Sequence, residues 1–352
     1  MKMTSRSVAR GMFGAAKREL QLKASTWAPA ILGAANFFYL KGAFREEQRA
    51  IASGTYRHYT SERRLDNRMF LRRSVHRIEK GLISRPRRET FAADYIARTV
   101  RTTVELGRAG AHDDPDELKW ASDVLDRYFE VTRTSTDRRV IDARSAWLSE
   151  RVVTSPGSGA PELVPFVQAP LENGAAKFQV FEQLAGHRRS VRWFEDKPVP
   201  RTLVERAAAV GLTAPSACNR QSFRLLVVDD ENLRKIVAAV PMGTAGFSHQ
   251  IPAIAVLIGQ HRGYEHERDR HAIYVDGGLF TTGFILGLEG LGLSSCCVNW
   301  PELKSKNDRM RQLIDLDADE RVIMLIAIGY GAPDQMVPRS HKRSVETVVK
   351  WL

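Results

Sequence analysis

The sequence predicts an α+β fold in its C-terminal half: a sheet covered by helices, with one central buried helix. Three observations point there. Short β-type apolar runs alternate with helical segments after residue 170. The stretch from Ala272 to Leu291 is helical in pattern and apolar nearly all round, as a buried helix is. Ahead of both, Ser155 to Pro170 (SPGSGAPELVPFVQAP) is rich in Pro, Gly and Ser and reads as a linker. The expected organisation is a helical N-terminal region (1–153), a linker (154–175) and a second region (176–352).

In the first region, Phe91 to Arg108 and Asp116 to Thr132 space apolar residues among charges, which predicts helices. Asp114-Pro115 is a plausible helix start, with proline at the first helical position. The number of helices there stays open. In the second region, Thr202-x-x-Glu205 has the pattern of a capping box, opening a helix to about Gly211. Phe223 to Val228 predicts a strand. Asp230 can cap a helix ending before Pro241, and Ala253 to Gly259 is another strand. Ser294 to Val298 and Val322 to Ile328 follow as strands, separated by a helix beginning near Pro301. Gly329-Tyr330-Gly331-Ala332-Pro333 ends regular structure.

Composition narrows the class. The net charge of +12 attracts anionic small molecules, nucleic acid or acidic membrane surfaces without choosing among them. Much of the excess crowds Arg57 to Arg88. The three cysteines form no CxxC pair, which argues against disulfide or zinc frameworks and suits a reducing cytoplasm. The apolar run Trp27 to Leu40 is too short to span a bilayer. It starts late for a secretion signal and lacks a small-residue cleavage site, so a buried or interfacial helix is expected.

The chemistry concentrates in two segments. Arg188-Arg189-Ser190-Val191-Arg192 offers three guanidiniums and a hydroxyl within five residues, suited to an anionic, planar ligand. Ala214 to Gln221 (APSACNRQ) adds a hydroxyl and two carboxamides, which both donate and accept as a heteroaromatic ring edge requires. Phosphate plus ring edge describes a nucleotide-like cofactor. A solvated basic turn and a polar loop would have the same composition.

Taken in order, RRSVRWF, APSACNRQSF, LGLSSCCVNW, IGYGAP and the tail HKR resemble the nitroreductase family of flavoproteins, from about Phe178 to the end. HRIEKGL (His76 to Leu82) and GTAGF (Gly243 to Phe247) resemble a subgroup with a helical N-terminal extension, linked with polysaccharide biosynthesis. The resemblance implies a mainly antiparallel sheet and an intimate homodimer with FMN at its interface. It assigns FMN binding to Arg188, Ser190 and Arg192, with Arg189 at a variable polar position. Pro215, Ser216 and Asn219 would reach the flavin from the other subunit. Asn299, after Val298, would turn its backbone N–H to flavin N5, and Lys342 and Arg343 would lie near the phosphate. Ala217 stands where the family often has a second serine, and Gln221-Ser222-Phe223 where Gln-Pro-Trp is common.

The implied function is an FMN oxidoreductase taking hydride from NAD(P)H and passing it to an oxidised organic acceptor. Arg192 and Asn299 are the expected catalytic residues: a guanidinium near the N1–C2 carbonyl stabilises the anion that reduction creates. An FMN dehydrogenase of an organic substrate and a non-catalytic flavin module at a membrane-surface assembly are the alternatives. No GxSxG nucleophile elbow occurs.

Other features favour plainer roles. Cys296, Cys297 and Cys218 read as small packing residues. His261, His266 and His271 do not share a helical face, so metal binding is not expected. Their loop is by default solvated, or a lid around Tyr264 that selects substrate. The glycines from Gly277 to Gly292 fit close helix packing better than a phosphate loop. The basic segment lacks a nucleic-acid motif, so no nucleic-acid partner is expected. A solvated helix face is its default. With Phe37 to Leu40 it could instead make peripheral contact at the inner membrane face of a cytoplasmic protein.

Overall fold

A computed structural model describes residues 42, 44–64, 68–108, 114–151 and 161–352. The apolar stretch 27–40 and residues 155–160 of the Pro/Gly/Ser-rich stretch lie outside them. Among the described residues, ten α-helices are longer than one turn, five before the linker stretch and five after it.

The early helices are α1 (Arg45–Arg64), α2 (Arg68–Leu82), α3 (Ile96–Arg108), α4 (Pro115–Val131) and α5 (Arg138–Glu150). Helical periodicity builds their core: Leu71, Val75 and Ile78 meet Ile96, Val100 and Val104, Ala121, Leu125 and Tyr128, and Val140, Ala143 and Trp147. Asp114 caps α4 as its position before Pro115 predicts, accepting from Glu117 N at 3.1 Å. The expected start at Phe91 falls five residues early, because Ala92 is left-handed (φ 61°) and the chain turns there before α3 begins.

Next come α6 (Gly174–His187), α7 (Arg201–Leu212), β1 (Phe223–Val228), α8 (Glu231–Ala238), β2 (Ala253–Gln260), α9 (Ala272–Gly290), β3 (Ser294–Asn299), α10 (Lys304–Leu313), β4 (Glu320–Gly329) and the single turn α11 (Val345–Val348). The strands form one sheet, ordered β1-β2-β4-β3, and every pairing is antiparallel. The α+β expectation holds. Both faces are covered, so β2 and β4 read as continuous apolar runs. Ile254, Val256, Ile258, Leu325 and Ala327 face α8 and α10; Ala253, Ala255, Leu257, Ile326 and Ile328 face α7 and α9.

Four expectations need correction. The helix at Thr202 opens one residue earlier, with Pro200 at the cap and no side-chain capping bond, so Thr202 and Glu205 form no capping box. The helix after Pro301 begins at Lys304, with Leu303 at its cap. Helix α9 is buried on one face only: Phe280, Phe284 and Leu288 are covered, while Val275 and Leu279 are exposed. Apolarity all round thus leaves an apolar face of α9 uncovered among the described residues. Gly174 and Ala175, assigned to the linker from sequence, open α6, a helix with no buried residue.

The packing role of the α9 glycines is visible at the α7 crossing. A Cβ at Gly287 would lie 3.0 Å from Ala207 Cα, and one at Gly283 would lie 3.1 Å from Gly211 Cα. Replacing Gly287 with valine should push the helices apart and cost roughly 1–3 kcal/mol, read as a lower urea midpoint. Gly292 (φ 78°) serves differently, as the left-handed residue just past the helix end. Among the described residues, no helix is long and apolar enough to cross a membrane.

Candidate functional site

The arginine segment lies along the open edge of the sheet. Ser190 bridges Ser295 at the start of β3, and Val191 N donates to Ser295 O at 3.0 Å. Four residues on, Glu195 N donates to Tyr330 O at 2.8 Å and Ala332 N to Trp193 O at 3.1 Å, so the strip is pinned from both ends. Gln250 completes the grip: its Oε1 accepts from Phe194 N at 2.8 Å, and its Nε2 donates to Arg192 O. Gly329 is needed here, since a Cβ would come 2.7 Å from the Phe194 ring. A rigid scaffold therefore sets where the guanidiniums point.

Arg188, Arg189, Ser190 and Lys342 meet in one cavity of about 690 Å³, walled on its other side by the tail 337–341. Arg339 and His341 also line it. Among the described residues, Arg188, Arg339 and Lys342 have no side-chain hydrogen bond or ion pair, and no carboxylate lines the cavity. Unneutralised cations held together without an acid want an anion. Arg189 differs, because its Nη1 donates to Gly186 O at 2.5 Å and to Arg188 O at 2.9 Å, fastening the end of α6. Arg343 is not in the wall; its Nη2 donates to Thr347 O at 3.1 Å within the tail. Arg192 is half-buried outside the cavity wall, its Nη1 reaching Ser190 O at 3.4 Å. Val298 is buried, Asn299 exposed at the end of β3, and neither lines the cavity.

Pro215, Ser216 and Asn219 are likewise absent from that wall. They sit in a loop held by residues far away in sequence. Cys218, Asn219 and Gln221 all adopt left-handed backbone (φ 50–53°), which for non-glycine residues costs roughly 1 kcal/mol or more each. Asp276, buried on α9, accepts from Ala217 N at 3.0 Å and from the Tyr264 hydroxyl at 2.8 Å. Arg72 of α2 donates from Nε to Asn219 O at 3.0 Å, while its Nη1 pairs with buried Glu117 at 2.9 Å. Inside the loop, Gln221 N donates to Ser216 Oγ at 3.1 Å and Gln221 Nε2 to Asn219 Oδ1 at 3.0 Å. Helical extension and sheet region both shape this loop.

The histidine loop is packed at its start, where His261, Gly263 and Tyr264 are buried, and solvated further on, where Glu267, Arg268, Arg270 and His271 are exposed. Tyr264 is buried, with Arg220 stacked 4.7 Å over its ring, and its hydroxyl is pushed well above the usual phenol range by burial and by Asp276. Arg262 pairs with Asp319 at 2.7 Å and Asp317 at 2.5 Å. His261 is buried against α1, where a Cβ at Gly54 would come within 2.5 Å of it. Deleting residues 262–268 should therefore unfold this junction. Among the described residues, no cluster of ligating side chains could hold a metal.

Burial lowers the His261 pKa to about 4, with Arg321 adding to the effect. The folded imidazole stays neutral where an unfolded histidine, near pH 6.5, takes up a proton. Its contribution is present above pH 6.5 and is lost as the pH falls towards 4. Urea midpoints should decline across that window, by of the order of 3 kcal/mol in stability. In His261→Gln protein the decline should be shallower.

The plainer cysteine reading holds for Cys296: it is buried, and burial raises its thiol despite nearby Arg192, so it is not a reactive thiolate. Thr244 of the GTAGF motif is also a packing element, its buried hydroxyl donating to Ala238 O at 2.6 Å. Arg339, His341, Gln250, Asp276 and Arg72 were not singled out from sequence. Two carried a signal: His341 as the first residue of the basic tail, and Arg72 as a member of the basic segment 57–88.

Residues 185–245 and 237–330 match the profile of the nitroreductase family. An NADH dehydrogenase of Thermus thermophilus is 28% identical over 195 residues, covering 47% of this chain and 92% of that protein. An iodotyrosine deiodinase of Haliscomenobacter hydrossis is 24% identical over 221 residues, covering 54% of this chain and 97% of that protein. Among solved structures, a nitroreductase family protein of Streptococcus pneumoniae aligns with 19% identity and a TM-score of 0.43, over 49% of this chain and 100% of that one. An FMN-dependent nitroreductase of Clostridium difficile aligns with 20% identity and a TM-score of 0.39, over 45% and 91%. The match to that family spans residues 185–330, less than half of the chain, and the helices before α6 lie outside it.

Proposed function

We propose that the nitroreductase-family region makes this chain an FMN-dependent oxidoreductase. One observation carries the reading: a cavity of about 690 Å³ whose cations Arg188, Arg339 and Lys342 are unpaired among the described residues and which no carboxylate lines. That donor set fits a phosphate monoester. Arg188 and Lys342 would hold the phosphate, Ser190 would bond the ribityl chain, and Arg192 the pyrimidine edge. The bound flavin would supply two-electron chemistry, accepting hydride from NAD(P)H and returning it to an oxidised organic acceptor. Arg192 would favour the charge that accumulates near it, and the Asn299 backbone N–H would orient the reacting edge.

Pro215, Ser216 and Asn219 lie outside the cavity of their own chain, which supports a homodimer in which they complete the partner's site. Helix α6, with Phe178, Val180 and Phe181 exposed, and the uncovered face of α9 supply apolar surface for it. A link to polysaccharide biosynthesis is supported by the resemblance of residues 76–82 and 243–247.

Anaerobic mixing tests the reaction. Purified, FMN-loaded protein should lose its yellow absorbance on addition of NADH or NADPH and regain it with a quinone or nitroaromatic acceptor. Bleaching only by an organic substrate would make the chain a dehydrogenase; bleaching by none would leave a flavin-binding module.

A further inference from the structure

The basic segment 57–88 divides in two. Four of its described cations are paired over long sequence distances: Arg57 with Asp319 at 2.7 Å, Arg68 and Arg72 with Glu117 at 2.8 and 2.9 Å, and Arg73 with Glu265. These contacts dock the helices internally, so these four arginines are not the unpaired solvated face the sequence suggests. Arg77, Lys80 and Arg88 behave otherwise. Among the described residues none of them has a carboxylate partner. They converge on a second cavity, of about 680 Å³, at the end of α2.

This cavity is built by the fold. The connection from α2 to α3 doubles back to form its wall. A Cβ at Gly81 would meet the Phe91 ring at 2.3 Å, so only glycine lets that ring cross the helix end. The Arg77 guanidinium lies 4.0 Å over the Tyr95 ring, which fixes its plane and leaves its N–H edge for an acceptor. The acids in the wall, Asp94 and Asp137, are both held by Arg139, at 2.5 and 2.8 Å. Four cations thus face two carboxylates, and the carboxylates are already paired with one of the cations. The excess positive charge is concentrated on Arg77, Lys80 and Arg88.

We propose that this cavity binds a phosphate or diphosphate group, separately from the flavin site. Guanidinium plus ammonium donors in a concave, aromatic-backed wall match phosphate oxygens with charge-assisted hydrogen bonds. The volume exceeds one phosphate and admits the moiety that carries it. Such a group is presented by soluble phosphorylated molecules and by anionic lipid headgroups, and both would use the same three cations. This site does not depend on the flavin reading.

The test titrates inorganic pyrophosphate into the full chain at low salt, and into Arg188→Ala/Lys342→Ala protein, which disables the other anion cavity. In either background, adding Lys80→Ala/Arg88→Ala should weaken one binding step by at least about tenfold. Lys80 and Arg88 are exposed, so the fold should persist. Arg77→Gln, which keeps a planar group on Tyr95 without the charge, should weaken binding too. Flotation with phosphatidylcholine vesicles, with and without phosphatidic acid, separates the sources. Capture by the acidic vesicles that pyrophosphate displaces identifies a headgroup; pyrophosphate binding without capture identifies a soluble ligand. Equal pyrophosphate affinity with and without Lys80→Ala/Arg88→Ala, or no binding to pyrophosphate or vesicles, would overturn the proposal.

Discussion

Arg188→Ala should weaken FMN binding by about 10- to 100-fold, the equivalent of the one or two charge-assisted hydrogen bonds that a guanidinium makes to phosphate. Arg188 has no partner among the described residues, so its loss breaks nothing in the folded chain and thermal stability without flavin should not change. Arg188→Lys should recover part of the affinity, since it keeps the charge and loses the fork. Equilibrium dialysis at constant ionic strength reads the difference. The effect should exceed that of Arg343→Ala, because Arg343 is spent on Thr347 O within the tail.

Asp276→Ala should produce the largest loss of stability. The carboxylate is buried and satisfies both the Ala217 N–H and the Tyr264 hydroxyl. Removing it strands the buried Tyr264 hydroxyl and the half-buried Ala217 N–H, at about 1–3 kcal/mol each with the buried one towards the top of that range. It also frees a loop that spends energy on three left-handed residues. A drop of roughly 2–5 kcal/mol in urea unfolding is expected, with flavin retention falling alongside. Tyr264→Phe removes one of the two bonds and keeps the ring under Arg220, so it should cost less than half as much. A loss in Asp276→Ala no larger than in Tyr264→Phe would mean that the carboxylate does not organise the loop.

Local chemistry was readable from the sequence. Strand β1 falls where its apolar run does, and Asp114 and Asp230 cap helices because a cap involves residues only three apart. The arginine strip was legible for the same reason, as a dense run of one chemistry. What distance assembles was not legible. Gln250 grips a strip 56 and 58 residues away, Asp276 holds a loop 59 residues back, and Arg57 finds Asp319 across 262 residues. No pattern in the chain announces such pairs. Helix α6 was mistaken in part for linker because none of its residues is buried here, and its apolar positions lack a core to declare them. The basic segment misled in the opposite way: charge density suggested a solvated face, whereas buried Glu117 and Asp319 and half-buried Glu265 absorb four of its cations. The cavity at Arg188 was half legible, since Arg339 and His341 arrive from a tail whose spacing to the strip the sequence does not fix.

Titrating the full chain with FMN and, separately, with riboflavin tests the phosphate-gripping site most directly, with flavin fluorescence as the readout. Cations that lack internal partners should make FMN bind at least about tenfold more tightly than riboflavin, with the gap closing as salt rises. Equal affinity for the two, or no uptake of FMN by folded protein, would contradict the account.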